Sequence, residues 1–546
     1  MNYDFYTPRP PIVSLGASLQ HIETAQLVRR LPESEVAYIF KHALVQDGAY
    51  SSLTRHERKR LHARVAEILQ RLNAGALDEN APLLAYHFEH AEEWRAALEY
   101  LQRASEWAAR GAAYVEQIDF LRRALEITPR AQRAELAPTL LFERGLAFVQ
   151  LTRWADARRD FTRALELLPP EQNEMRARVL LEMATVMQWL WDAEGSVAYA
   201  NATLEFARAT NDTNLEAGAL SVLAFNKISD GMPRLGLQEY DRAFARAGDV
   251  PNSALVRGLE FSGNTMYWIG DYEAAIARGH EAIARARALG DSVTVLRAMS
   301  NLGQAYLGHG DYASALHVFQ EARAFGQEHG IAAWLARCVA MESHLYFTLY
   351  DYAHAEKLSL EAREIAHAAN FPPAIVSAAI DLMLNYTARG ELTRAERFSA
   401  QTAAAIPNTY GSHRWLWETR FQHARAELAL ARERFEQALA HANDALQSSR
   451  ATERIKYEIR ALETRARIFA ARSDVPAALS DLEIALERAD VLRDPLLQLQ
   501  VRLTTLKLTH DEHLADDARA LVRRIGAALP DEPIRARFQA VISEWI

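Results

Sequence analysis

The chain has 546 residues, 49% of them hydrophobic and 24% charged, which supplies apolar material for several domains or one long array. A formal net charge of −9 argues against a general nucleic-acid binder, although the first seventy residues are slightly basic. A single cysteine, Cys338, excludes an internal disulfide and a cysteine-based zinc site. Its Arg-Cys-Val-Ala-Met context is apolar and helical, which predicts a buried structural thiol. The N-terminal MNYDFYTPRPPIVSLGAS has no positive segment leading into an apolar run, so it does not read as a signal peptide. No window reaches the roughly 18 uninterrupted apolar residues of a membrane helix. The expectation is a soluble, cytoplasmic protein with no membrane contact.

In chain order, residues 1–18 predict a flexible tail. Leu19–Arg30 predicts an amphipathic helix with Ile22, Ala25 and Leu27 on one side, Pro32–Glu35 a turn, and Val36–Phe40 a strand. Together with the helical piece that follows, residues 19–54 form a helix–hairpin–helix segment, and 55–77 a linker helix. The basic run Arg55, Arg58, Lys59, Arg60 and Arg64 alternates with Leu61 and Val65 as a solvated amphipathic helix does, so nucleic-acid contact is not expected.

From residue 78 to about 510 the chain repeats itself. Two less regular units come first, one with Ala85, Phe88, Trp94, Ala97 and Ala104, the next with Phe120, Leu121, Ala124 and Pro129. Asp-Tyr-x-x-Ala then recurs at Asp271, Asp311 and Asp351, forty residues apart each time. Aspartate caps helix N-termini by accepting an orphan backbone N–H, so each copy reads as a turn opening a second helix. Around the middle copy stand Leu302-Gly303-Gln304-Ala305-Tyr306, Ala315, Phe319 and Ala322. This is the tetratricopeptide pattern. Gly303 and Ala315 let two helices approach, while Tyr306 and Phe319 fill the gaps. Units starting near 138, 177, 217, 256, 296, 336, 376, 419 and 459 follow the same template, at spacings of 39 to 43. The predicted fold is all-α: a tetratricopeptide-like, right-handed superhelical solenoid of about eleven helix pairs. Residues 511–546 read as two capping helices.

Catalytic motifs are missing. None of the six lysines follows a glycine, so there is no Walker A P-loop, and neither G-x-S-x-G nor H-E-x-x-H occurs. His87 and His90 lie three apart on one helix face, and His510, Asp511, Glu512, His513, Asp516 and Asp517 cluster near the end. Metal sites need three or four converging ligands, so helix-surface patterns are the reading for both. No enzyme, cofactor or metal is expected.

Aligning the units reveals a ladder. Their second position is Arg178, Arg257, Arg297, Arg337, Arg420 and Arg460. The ninth is Asn264, Gln304 and His344 in three units, and the twelfth includes Tyr267 and Phe347. In tetratricopeptide repeats such positions face the concave groove. The predicted ligand-binding set is therefore Arg257, Asn264, Tyr267, Arg297, Gln304, Arg337, His344 and Phe347, suited to a protein, peptide or small effector whose carboxylates the guanidinium forks would take.

The string YIFKHALVQDGAY at Tyr38–Tyr50, with Leu53 and Arg58-Lys59-Arg60-Leu61-His62, resembles a signature of bacterial STAND-type signal-transduction ATPases. Some of these are associated with class III nucleotide cyclases. The resemblance implies that residues 19–54 are the end of a winged helix and that the repeats are the arm of such a regulator. The family's ATP-binding and cyclase residues have no counterparts in this sequence. Two further functions follow from the resemblance: the regulatory half of a split ATPase or cyclase whose P-loop NTPase is a separate chain, or a transcription regulator using the winged-helix remnant.

Overall fold

The computed structural model describes residues 13–30, 38–169, 174–247, 253–409, 414–530 and 532–543. It contains 27 α-helices and one two-stranded hairpin among these residues, and it separates into two compact units. The first comprises Met1–Trp107 with Asp119–Ala134, the second Ala108–Ile118 with Glu135–Ile546.

The first unit opens with α1 (Val13–Thr24), then β1 (Val28–Arg30) and β2 (Tyr38–Phe40), paired antiparallel with Val28 opposite Phe40. The helix expected over Leu19–Arg30 thus ends six residues early. Gln26 takes a left-handed φ of 58° and turns the chain, and Val28 enters the hairpin as a buried residue. The strand expected over Val36–Phe40 is found at Tyr38–Phe40, and the turn at 32–35 lies outside the described residues. The hairpin fits the small remnant expected there. Next along the chain come α2 (Ala43–Ser52), α3 (Arg55–Leu72), α4 (Ala81–Ala91), α5 (Trp94–Arg110) and α6 (Tyr114–Ile127), of which Ala108–Ile118 belongs to the second unit. Thr54 and Glu57 form a reciprocal capping box at the start of α3, which satisfies two orphan donors and fixes where the basic run becomes helical.

The second unit is a stack of helix pairs. The first helices are α7 (Ala137–Gln150), α9 (Glu174–Trp189), α11 (Thr213–Ser229), α13 (Ser253–Ile269), α15 (Ser292–His309), α17 (Ala332–Thr348), α19 (Pro372–Ala388), α21 (Arg414–Ala431), α23 (Ile455–Ala471) and α25 (Pro495–Thr509). Their partners are α8 (Trp154–Leu167), α10 (Ala193–Thr210), α12 (Pro233–Ala247), α14 (Tyr272–Ala288), α16 (Tyr312–Glu328), α18 (Tyr352–Ala368), α20 (Leu392–Ala405), α22 (Phe435–Ala451), α24 (Val475–Leu492) and α26 (Glu512–Ala528). A last helix, α27 (Glu532–Ser543), follows. Asp271, Asp311 and Asp351 are the N-caps of α14, α16 and α18, each accepting a backbone N–H three residues on. At Gly303 a Cβ would lie 2.7 Å from the buried Phe319 ring, so only glycine admits this helix approach.

The stack also closes on itself. Helices α13 and α15 meet α23 and α25, one superhelical turn later. A single hydrophobic core holds Phe261, Tyr267, Trp268 and Tyr272 together with Ile459, Leu462, Leu492 and Leu497. Lys456 and Asp494, both buried, pair at 3.0 Å, and Tyr267 and Tyr272 of the earlier turn bond to them. Farther along, Arg537 of α27 pairs with Asp351.

Candidate ligand site in the superhelix lumen

Closure turns the expected open groove into a lumen between the first helices of successive pairs. Two connected hollows occupy it. The larger, of about 610 Å³, is lined by residues of α15, α17, α19, α21, α23 and α25, with Phe347, Tyr350, Tyr352, Leu384, Leu430 and Leu503 giving an apolar wall. The smaller, of about 100 Å³, is bounded by Asn264, Tyr267, Gln304, Arg337, His344 and Arg420. Lys456 and Arg460 line both. A hollow of about 700 Å³ lies elsewhere, where the Gly270 and Gly310 turns meet Arg493 and Arg524, and gathers none of the ladder residues.

The ladder residues divide three ways. Arg257 and Arg297 lie farther up the lumen beside a hollow of only about 30 Å³. Each is neutralised there: Arg257 by Glu182 at 3.0 Å, Arg297 by Glu260 at 2.5 Å. Arg297 also stacks between Trp189 and Trp334. Asn264, Tyr267, Gln304, Arg337 and His344 come together around the small chamber. Gln304 is used structurally, accepting from the Tyr267 hydroxyl at 2.9 Å and donating to the Met341 carbonyl at 3.2 Å. Phe347 faces the larger hollow.

The predicted set omitted Arg420, Lys456 and Arg460, although the ladder held both arginines. It also missed Asp381, Tyr350, Tyr352 and Glu463. A charge count explains what matters. Every carboxylate lining the two hollows has a cationic partner: Asp381 with Arg420 at 2.6 Å, Asp494 with Lys456, and Glu427 and Glu463 with Arg467. Arg337 and Arg460 have no carboxylate partner among the described residues. Arg337 donates to the Asn301 amide oxygen at 2.8 Å, and Arg460 to His344 Nε2 at 3.5 Å.

The electrostatics follow from burial. Burial, opposed by Glu260 and reinforced by Arg297, lowers the Arg337 guanidinium pKa to about 10. Burial and then Arg460, Lys456 and Arg420 hold His344 well below the ordinary imidazole value, so the ring is neutral. Lys507 on the larger hollow is also lowered, by burial and by Arg467. Burial is the leading cause in all three, whereas Lys456 and Arg420, each beside its own carboxylate, are raised.

The sequence profile described as tetratricopeptide repeat matches residues 256–328, the units whose Asp-Tyr-x-x-Ala copies are cleanest. The chain carries tetratricopeptide repeats. Comparison with curated proteins by sequence gives no significant match. Among solved structures, the chain is similar to a Rap protein complexed with competence and sporulation factor: 13% identity, TM-score 0.52, covering 65% of this chain and 98% of that one. It is also similar to a STAND protein with a tetratricopeptide repeat sensor from Pyrococcus horikoshii, at 17% identity and TM-score 0.40, covering 72% of this chain and 59% of that one. The apo form of RapI aligns at 12% identity and TM-score 0.43, covering 65% of this chain and 98% of that one. The tetratricopeptide repeats support a protein-interaction scaffold, and the Rap likeness shows the fold. No helix of the described residues is long and apolar enough to cross a membrane, and no group of three or more metal-binding side chains converges among them.

Proposed function

We propose that this protein is a non-catalytic sensor that binds an effector, a peptide or a small molecule, inside the lumen of its second unit, in a signal-transduction role. The observation that carries the reading is the convergence of six first helices on one hollow with an apolar wall and a cationic end. A concave, largely apolar hollow suits recognition, because hydrogen bonds and charges gain strength away from water. The Rap relative was solved with its factor bound, and a repeat superhelix holding an effector is compatible with that. The test is native mass spectrometry of the chain purified from its source cell, followed by amide exchange with the retained molecule added back. Protection should fall on α17, α19, α21, α23 and α25. Protection confined to the outer second helices would rule the lumen out.

A second reading rests on α3. Leu61, Val65, Ile68 and Leu72 recur at helical spacing and are all exposed, Leu72 by 75%. Such an apolar stripe is a docking face, and it sits in the segment that resembles the joint between a winged helix and the arm of a STAND-type ATPase. A separate chain with a P-loop NTPase would be its partner, which makes this protein the regulatory half of a split system. Leu61→Glu and Leu72→Glu should abolish co-purification of an NTPase from source cells while leaving lumen binding intact.

A further inference from the structure

Three arginines of the second unit's ladder share a pairing. Arg297, Arg337 and Arg420 each reach back to a side chain in the preceding pair, 36 to 39 residues earlier, whereas Arg257 reaches Glu182, 75 residues earlier. At Arg297 that partner is Glu260 and at Arg420 it is Asp381. At Arg337 the equivalent partner is Asn301, which is neutral. For Arg460, the position of Glu260 in the preceding unit is filled by His423, whose imidazole pKa burial lowers to about 4. Three ladder arginines border the lumenal chamber, Arg337, Arg420 and Arg460, and of these only Arg420 has a carboxylate partner among the described residues.

The missing acceptors show as orphan donors. Arg337 Nη1 and His344 Nδ1 are buried with no hydrogen-bond partner. With Nε2 accepting from Arg460, the neutral His344 carries its proton on Nδ1, and the nearest carboxylate oxygen, on Asp381, is 4.0 Å away. A buried cation left without an anion is costly, and a chamber of about 100 Å³ has room for a carboxylate or a few waters. The larger hollow continues from it past Lys456 and Arg460 into an apolar wall.

Resting on the effector-binding reading above, we infer that the lumen recognises a carboxylate carried on an apolar or aromatic body, with Arg337, His344 and Arg460 receiving the carboxylate and Phe347, Tyr350 and Tyr352 enclosing the body. Arg337 lies seven residues before His344 on α17, about 10 Å along one helix face, and both border the small chamber together with Arg460. Asp381, Glu427, Glu463 and Asp494 are occupied by their own cations and repel a second anion only weakly.

Matched acid and amide probes test this by isothermal titration calorimetry on the full chain: 1-naphthylacetate against 1-naphthylacetamide, and N-acetyl-Ala-Ala-Phe as free acid against its amide. The expected result is one-to-one binding in which an acid exceeds its amide by at least about tenfold. Preference for the tripeptide acid identifies a peptide C-terminus as the source, and preference for naphthylacetate a small effector. Arg460→Met should remove the acid-over-amide ratio with an unchanged or higher Tm, because it deletes an unpaired cation. Arg460→Lys should restore part of the ratio, and Arg242→Met, an exposed control, should leave it intact. Arg337→Met gives a second, independent loss. Equal affinity for acid and amide overturns the inference yet leaves the lumen as the site. No one-to-one binding by either acid, or an undiminished ratio in both methionine variants, overturns it as well, and the effector reading then stands or falls on the retained-molecule experiment.

Discussion

The Tyr272 hydroxyl donates to Asp494 across 3.3 Å, joining residues 222 positions apart. Asp494 also pairs with Lys456 at 3.0 Å and caps α25 through the amides of Leu496 and Leu497. Removing its carboxylate strands a buried ammonium and a helix N-terminus together. Asp494→Ala is expected to cost about 3–5 kcal/mol, read in thermal denaturation, with faster amide exchange in both α13 and α23. Loss confined to α25 would show that the turns do not depend on this contact.

Gly303 and Gly290 separate packing from backbone strain. A Cβ at Gly303 meets the Phe319 ring at 2.7 Å, whereas Gly290 has φ of 68° and nothing within 4 Å. Gly303→Ala should cost about 1–3 kcal/mol through overpacking, and Gly290→Ala about 1 kcal/mol through its left-handed backbone alone. Urea denaturation of the two variants orders them, and the reverse order would contradict the packing argument.

In the first unit, His62 joins α3 to α4. Its ring bonds to the Tyr50 hydroxyl at 3.0 Å and to His87 at 2.9 Å, with Tyr86 edge-on and His90 tilted beside it. Burial, then His87 and His90, lowers the His62 pKa below 6.5, and burial and His90 lower that of His87. The unfolded chain therefore binds these protons at a higher pH than the folded one, so stability is present above about pH 6.5 and is lost as pH falls below it. Amide exchange of α3 and α4, corrected for intrinsic rates, should quicken between about pH 7.5 and about pH 5.5. His87→Gln should flatten that dependence, and an equal slope in the variant would remove the cluster from the account.

Cys338 is fully buried, and burial pushes its thiol pKa up to about 12. Thiol-directed reagents require the thiolate, so labelling should be undetectable in the native chain and complete in denaturant. Rapid native labelling would mean that α17 opens.

The repeat register was legible because small residues and aspartate caps mark each helix pair locally, as Gly303 and Asp311 do. The helix expected through Arg30 was not, because a short β-favouring piece following Gln26 has no period long enough to separate it from a helix end. Half of the lumen was readable too: Arg337 and His344 stood in the ladder. Lys456, Tyr350 and Tyr352 were missed because contacts such as Tyr267–Lys456, 189 residues apart, leave no periodic trace. The cation excess was visible in principle, since Asn301 and His423 occupy places where other units carry an acid.

The core shared by Tyr272 and Leu492 bears on how such a chain can change its length. In an open array each unit touches only its neighbours, so copies can be added or dropped with a proportionate effect. Here α13 must face α23, and α15 must face α25, at matched height. Losing or gaining one forty-residue pair between them would carry Gly270 past Leu492 and Gly310 past Pro495, the small residues that admit those side chains. The number of repeats per turn is thereby locked like the tooth count of a gear, and variation is confined to the ends.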